Sequence, residues 1–507
     1  MTKTANRFGL LVALILLALA TGRGDEPYEA SWDSLRRYRA APEWFRDAKF
    51  GIYFHWGVYS VPAFDNEWYP RNMHRKGSRA YKHHAERYGD PAKFGYHDFV
   101  PMFKAERFDP EEWAELFRKA GARFAGPVAE HHDGFAMWAS KLTPWNVSNK
   151  GPRQDVTGEL AKALRKRGLK LVTTFHHARN HQHMINTSDP TAMAPDEFKE
   201  KGGLQWTGHY PHVEGWPPTS KDPELSLLYG NIPRRQFLEL WKGKLLEVID
   251  LYHPDLIWFD SWLHEIPDVY KMEFLAYYFN TAREQNQEVV VTFKQQDLPR
   301  ELAIIDYEKG RAESLTEHVW LTDDTISDGS WCYTEDLRIK PTKTVLHAFI
   351  DIVSKNGQLL LNISPMADGT IPDNQKKVLL EMGAWLERYG EAIYETRPWT
   401  IFGEGPTRLE KGGHFIREVE YTPQDIRYTT KGQTIYAILL GWPGAGKEVV
   451  LRAFDSSRVS GLKVNAVSLL ASNAEVGFIQ EKEGLKLTLP AKSPDELAVV
   501  FKIVTSK

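Results

Sequence analysis

The sequence predicts an α/β fold, a TIM-like (β/α)8 barrel followed by a C-terminal β-sandwich, and three observations carry that prediction. Strand-like apolar runs alternate with amphipathic helical patterns from about residue 45 to about residue 390, the signature of repeated βα units. Three of those runs end in a burst of ionisable and aromatic side chains. Gly51–Phe54 leads into His55-Trp56-Gly57, Phe124–Ala129 into Glu130-His131-His132-Asp133-Gly134-Phe135, and Leu256–Phe259 into Asp260. Barrel enzymes place their chemistry at the carboxyl ends of the strands, so three such ends point to one site at one mouth. Beyond about residue 395 the texture changes to short, partly alternating segments with turn residues between them, as in a small sandwich.

Taken in order, residues 1–22 read as a secretory signal. Lys3 and Arg7 supply the positive start, Leu10 to Ala20 an apolar stretch too short to span a bilayer, and small residues follow. Residues 30–395 form the catalytic barrel, with candidate strands Gly51–Phe54, Phe124–Ala129, Leu169–Phe175, Leu256–Phe259, Val289–Phe293 and Leu359–Ile363. Helices are expected over Pro110–Ala120, with Asp109 as cap and Gly121 as stop, and over Thr157–Arg167, capped by Asp155 or Thr157. A third is expected over Arg234–Tyr252. Met184 to Leu228 is too long and too rich in Pro and Gly for an ordinary βα loop, which suggests a segment that shapes the substrate site. Residues 396–507 form the sandwich, with strands expected at Thr400–Phe402, Phe415–Tyr421, Thr434–Leu440, Glu448–Arg452, Ala466–Leu469, Val476–Gln480 and Leu485–Leu489. Gly441-Trp442-Pro443-Gly444-Ala445-Gly446-Lys447-Glu448 imitates a phosphate-binding loop, but Glu448 stands where a Mg²⁺-binding hydroxyl belongs and no helix follows. It reads as a hairpin turn.

A net charge of −3 gives no electrostatic reason to expect nucleic acid or an anionic membrane as partner. The single cysteine, Cys332, excludes an intramolecular disulfide. The 17 tryptophans are numerous enough to spare some for the apolar faces of sugar rings, although most belong in the core.

The segments Lys49 to Gly57, Asn66-Glu67-Trp68-Tyr69, Glu130 to Phe135, Gly151 to Asp155, Trp258-Phe259-Asp260 and Asn356 to Pro365 occur in the order found in glycoside hydrolase family 29. The chain thus resembles the α-L-fucosidases from about residue 32 to about residue 400. The resemblance implies a retaining, exo-acting enzyme that releases terminal fucose from fucosylated glycans, with no metal and no other cofactor. It implies Asp260 as nucleophile and His55, His131 and His132 as hydrogen-bond donors to fucose hydroxyls. Glu67, Trp68, Trp138, His176 and Lys294 complete the expected substrate pocket, with Phe135 and Trp56 as further candidates for its apolar wall.

The general acid departs from the family pattern. Trp320-Leu321-Thr322-Asp323 stands where relatives carry a Trp-Glu-Thr-like segment, so Leu321 replaces the glutamate. Glu308 ranks first as substitute, then Asp323 and Glu67. Phe175 likewise lacks a hydroxyl that relatives present on strand three, which leaves His176 or His177 to supply the hydrogen bond. Two other readings stay open: a metal-dependent hydrolase using His55, His131, His132 and Asp133, and a carbohydrate-binding protein that has lost catalysis.

Overall fold

Eight parallel strands follow one another around a barrel in chain order: β1 (Phe50–Phe54), β2 (Phe124–Glu130), β3 (Lys170–Phe175), β4 (Leu256–Phe259), β5 (Val290–Phe293), β6 (Ile304–Ile305), β7 (Trp320–Thr325) and β8 (Gly357–Ile363). β8 pairs with both β1 and β7, and a parallel bridge between Asp306 and Leu321 closes the ring just beyond β6. The computed structural model describes residues 26–180, 222–230, 232–444 and 446–506. The expected signal, and the segment from Met184 as far as residue 221, lie outside the described residues.

Both faces of these strands are buried, which is why they read as continuous apolar runs. One face fills the lumen with Tyr53, Phe124, Val172, Trp258, Leu321 and Leu360, and Phe45 from the short helix Glu43–Ala48 belongs to the same cluster. The opposite face carries Phe50, Ile52 and Phe54, which pack with Trp113 and Phe117 of the surrounding helices. The helix Pro110–Lys119 is capped by Asp109, whose carboxylate accepts from the Glu111 and Glu112 N–H groups. Asp155 rather than Thr157 caps Val156–Lys166.

Two barrel strands escaped the sequence reading, as did the C-terminal strands Ile426–Lys431 and Val499–Ser506. β6 is only two residues long, and β7 reads Trp-Leu-Thr-Asp-Asp-Thr, polar enough to hide a strand. Its polarity has a cause: β7 carries Asp323 at the barrel mouth.

The C-terminal sandwich stacks a five-stranded antiparallel sheet on a three-stranded one. In chain order its strands are β9 (Arg397–Glu404), β10 (Ile426–Lys431), β11 (Thr434–Leu439), β12 (Glu448–Leu451), β13 (Lys463–Leu469), β14 (Phe478–Glu481), β15 (Gly484–Thr488) and β16 (Val499–Ser506). Tyr428, Ala437 and Phe501 of the large sheet share one core with Leu451, Leu485 and Leu487 of the small one. Residues 441–444 and 446–447 connect β11 to β12, consistent with a turn rather than a nucleotide loop. The expected strand Phe415–Tyr421 is not one. Instead Gly413 pairs with Arg311, and the segment between β9 and β10 returns to the barrel mouth.

A buried charge cluster joins the two units. Asp351, on the barrel helix Thr342–Ser354, accepts from Arg427 Nε of β10 at 2.5 Å and from Lys355 Nζ at 2.9 Å. Both Asp351 and Arg427 are almost wholly removed from solvent, so removing one partner strands a charge. Arg427→Met is expected to cost about 3–5 kcal/mol of stability in denaturant titration. A cost under about 1 kcal/mol would mean that Lys355, with Arg311 Nη1 at 4.0 Å, suffices for Asp351.

Candidate active site

Asp260 immediately follows β4, His176 follows β3, His131 and His132 follow β2, His55 follows β1, and Lys294 follows β5. Each sits at a carboxyl strand end because the sheet carries its backbone there, and together they line one cavity of about 600 Å³. Glu308 enters from the loop after β6, Asp323 from β7, and Glu67 and Trp68 from the long β1–α connection. Asp260, the three acid candidates, His55, His131, His132, His176, Trp68 and Lys294 all line this cavity, whereas Trp138, Phe135, Trp56, Asp133 and His177 do not.

Lys294 organises the carboxylates. Its Nζ donates to Glu308 Oε2 at 2.8 Å and to Asp260 Oδ1 at 3.1 Å, with Asp323 Oδ2 at 3.5 Å and Asp306 Oδ2 at 3.8 Å. Because both hydrogen bonds share one nitrogen, the Asp260 and Glu308 oxygens are separated by no more than the two distances together. That bound excludes, for these atoms, the roughly 6.5–9.5 Å of inverting glycosidases and admits the about 5–5.5 Å of retaining ones.

The two carboxyls are driven apart electrically. Burial opposes ionisation of Asp260, but Lys294, Arg179 and the hydrogen bond from His132 outweigh it and hold the group well below the usual aspartate range. His132 Nε2 lies 3.2 Å from Asp260 Oδ2, and Arg179 Nε 3.9 Å from the same oxygen. For Glu308, burial leads, and with Asp323 and Asp260 it overcomes the pull of Lys294, raising the carboxyl to about 7. One carboxylate is therefore ionised and its neighbour is poised near neutrality.

The other two acid candidates are more confined. Asp323 is 1% exposed and accepts from Tyr53 Oη at 3.0 Å. Glu67 accepts from the Trp331 N–H at 3.1 Å, and burial raises its pKa.

The histidines are buried and neutral. Burial lowers His55 and His132 to about 4, and holds His131 and His176 well below the usual histidine value. Asn362 fixes the His55 tautomer. Its Nδ2 donates to Thr325 Oγ1 and the Trp331 carbonyl, so its Oδ1 accepts from the His55 backbone N–H and from Nδ1–H at 2.8 Å. In that tautomer His55 Nε2 carries a lone pair and faces a sugar hydroxyl as an acceptor, where the family resemblance implies a donor. His176 Nδ1 is buried without a hydrogen-bond partner among the described residues.

The metal set of the rival reading, His55, His131, His132 and Asp133, does not assemble as a unit. Asp133 turns away from the cavity: Tyr96 Oη donates to its Oδ2 at 2.6 Å and the Phe135 N–H to its Oδ1 at 3.3 Å. His132 is engaged with Asp260. The histidines whose ring nitrogens do converge are His55, His131 and His176, within 4.8 Å of one another. Gly134 makes the turn behind this group possible, with φ of +78° and a Cβ position only 2.0 Å from the Leu228 carbonyl oxygen.

Trp138 is a correction. It is fully buried, its Nε1 donates to Glu247 at 2.8 Å, and it packs edge-on to Phe175 in the core. Phe135 and Trp56 are core residues as well. The aromatic surfaces at the cavity are Trp68, Trp331 and Phe415. Between the histidines after β3, His176 reaches the cavity while His177 stacks on Trp241. Sequence reading missed Arg179, Ser261, Gln295, Trp331, His414 and Phe415. Arg179 follows His176 by three residues, a local signal that was available; its guanidinium lies 5.3 Å from the Trp68 ring centre and 5.0 Å from that of Trp262.

Residues 15–391 match the family model described as alpha-L-fucosidase, and residues 420–504 match the alpha-L-fucosidase C-terminal domain. The tissue alpha-L-fucosidase of Rattus norvegicus is 33% identical over 97% of this chain and 95% of its own length. That of Homo sapiens is 31% identical over 97% and 95%. Among solved structures, the Thermotoga maritima alpha-fucosidase in complex with fucose superimposes with a TM-score of 0.72 at 30% identity, covering 94% of this chain and 100% of that one. The same enzyme with a mechanism-based inhibitor gives 0.72 at 29% over the same spans. By sequence, by fold and by both of its domains, the chain belongs to the alpha-L-fucosidase family.

Proposed function

We propose that this protein is a retaining, exo-acting α-L-fucosidase that removes terminal fucose from glycans through a glycosyl-enzyme intermediate. The observation that carries this reading is the single ammonium of Lys294 bonded to both Asp260 and Glu308. In the first step the Asp260 carboxylate attacks the anomeric carbon while the bond to the leaving oxygen breaks and Glu308 delivers its proton to that oxygen. In the second, Glu308 as carboxylate takes a proton from water, which attacks the same carbon and expels Asp260. Esterification of Asp260 removes one of the negative charges that raise Glu308, while Lys294 remains. The pKa of Glu308 therefore falls when the residue must turn from acid to base.

His55, His131, His132, His176, Glu67 and Lys294 supply the polar contacts for the sugar, and Trp68 and Trp331 supply apolar faces. The N-terminal leader pattern supports export, to the periplasm or outside the cell, and among the described residues no helix is long and apolar enough to cross a membrane. Proton NMR of an aryl α-L-fucoside digest tests the mechanism: α-fucose is expected as the first-formed anomer. Initial release of the β anomer would overturn the double-displacement reading.

The converging nitrogens of His55, His131 and His176 favour one alternative, a bound transition metal. The sugar-pocket reading expects wild-type protein without stoichiometric metal and activity that survives excess chelator. His55→Ala, His131→Ala and His132→Ala should each weaken fucose binding by about 0.5–1.5 kcal/mol in calorimetry, more where a buried partner is stranded. One equivalent of zinc in the wild type, lost in the His55 and His131 variants, would sink it.

A further inference from the structure

The segment between β9 and β10 leaves the sandwich and pairs with the loop that carries Glu308. Arg311 and Gly413 exchange backbone hydrogen bonds, the Phe415 N–H donates to the Glu308 carbonyl at 2.8 Å, and the Ile416 N–H donates to the Lys309 carbonyl at 3.1 Å. The Glu308 N–H donates in turn to His414 Nδ1 at 3.1 Å. His414 and Phe415 thereby bracket the backbone of Glu308, and both line the same cavity as Asp260. Phe415 is 63% exposed, the highest value among the exposed large hydrophobic side chains of the described residues, and its φ of +49° lies in the left-handed region that a phenylalanine rarely adopts. A large apolar ring held in strain over a polar cavity calls for a ligand with an apolar face.

Resting on the fucosidase reading, we propose that His414 and Phe415 form the leaving-group subsite, which takes the pyranose ring of the sugar to which fucose is attached. The acid must reach the leaving oxygen, so the aglycone has to lie on the Glu308 side of the cavity, the side these two residues occupy. Accepting from the Glu308 N–H leaves the proton of neutral His414 on Nε2, a donor for a hydroxyl of that ring. Phe415 offers its face to the C–H surface of the same ring. The C-terminal part of the chain thus takes part in substrate selection.

Two substrates separate this subsite from the fucose pocket. One is α-L-fucosyl fluoride, whose leaving group has no ring. The other is the best-cleaved member of a panel of fucosylated disaccharides differing in linkage. Phe415→Ala is expected to lower kcat/KM for the disaccharide about tenfold and for the fluoride less than about twofold. Phe415→Trp should restore most of the disaccharide rate. Ile479→Ala, which trims another exposed apolar side chain on the distant sheet, serves as control and should shift neither. Equal losses on both substrates with Phe415→Ala, or no loss on either, would overturn the subsite. A wild type that cleaves neither substrate would overturn the fucosidase reading itself, and the subsite with it.

Discussion

Replacing Asp260 with glycine is expected to lower turnover by roughly ten-thousand-fold or more, the scale on which removing a covalent nucleophile acts. The fold should survive, because Asp260 lies at a strand end facing the cavity, its carboxylate bonds run to the side chains of His132 and Lys294, and its backbone N–H bond to the Phe175 carbonyl is kept by glycine. The consequence for its neighbours is electrostatic. Without Asp260, Lys294 keeps three carboxyl groups within 4.0 Å, those of Glu308, Asp323 and Asp306, so its ammonium is not left without acidic partners. Azide, small enough to enter the space left by the side chain, should restore activity on an activated aryl fucoside and give a fucosyl azide of inverted configuration. Near-wild-type turnover by Asp260→Gly without azide would remove Asp260 from the nucleophile role.

Loss of Glu308 is the second large effect, about 10²–10⁴-fold, and it should depend on the leaving group. A natural glycan leaves as a poor alkoxide and needs the proton, whereas an activated phenolate does not. Glu308→Ala should therefore spare the first step with the aryl substrate, slow the second, and nearly abolish turnover of the glycan. The pH profile carries the sign. Glu308 must be protonated for the first step, and its carboxyl titrates at about 7. kcat/KM should consequently fall as pH rises through about 7, and Glu308→Gln should remove that alkaline limb. The acidic limb belongs to Asp260, which is held well below the usual aspartate range, so it should lie at distinctly acidic pH. Asp323→Ala and Glu67→Ala are the parallel variants. If Glu308→Ala slows both substrate types equally and keeps the alkaline limb, the role passes to whichever of these two shows the leaving-group dependence.

The substitution of Leu321 for the glutamate of the family pattern has a spatial reading. Leu321 sits in β7 with its side chain in the packed lumen, and its backbone forms the closing bridge with Asp306. Glu308, two residues beyond that bridge, reaches the cavity from the adjacent loop. Phe175 is similar: its side chain packs against Phe259 in the barrel wall, and the next residue, His176, is the one that faces the cavity.

The sequence by itself determined the barrel, the sandwich and the residues at the strand ends. A buried parallel strand leaves a continuous apolar run, and the residue after it has little freedom, so Asp260, His55, His131 and His132 were legible from local pattern, whereas Lys294 came through the family resemblance. It also supplied Glu308 as a candidate, although not the protonation that suits it to act as an acid. That property depends on Lys294, Asp323 and Asp260 converging from three different strand ends, and electrostatic fields have no local signature. Only the tertiary structure excluded Trp138, whose partner Glu247 lies 109 residues away, and turned Asp133 toward Tyr96. Only it brought His414 to Glu308 across 106 residues. Side-chain direction at a loop is decided by such distant partners, whereas periodicity reports only on the neighbours along one strand or one helix face.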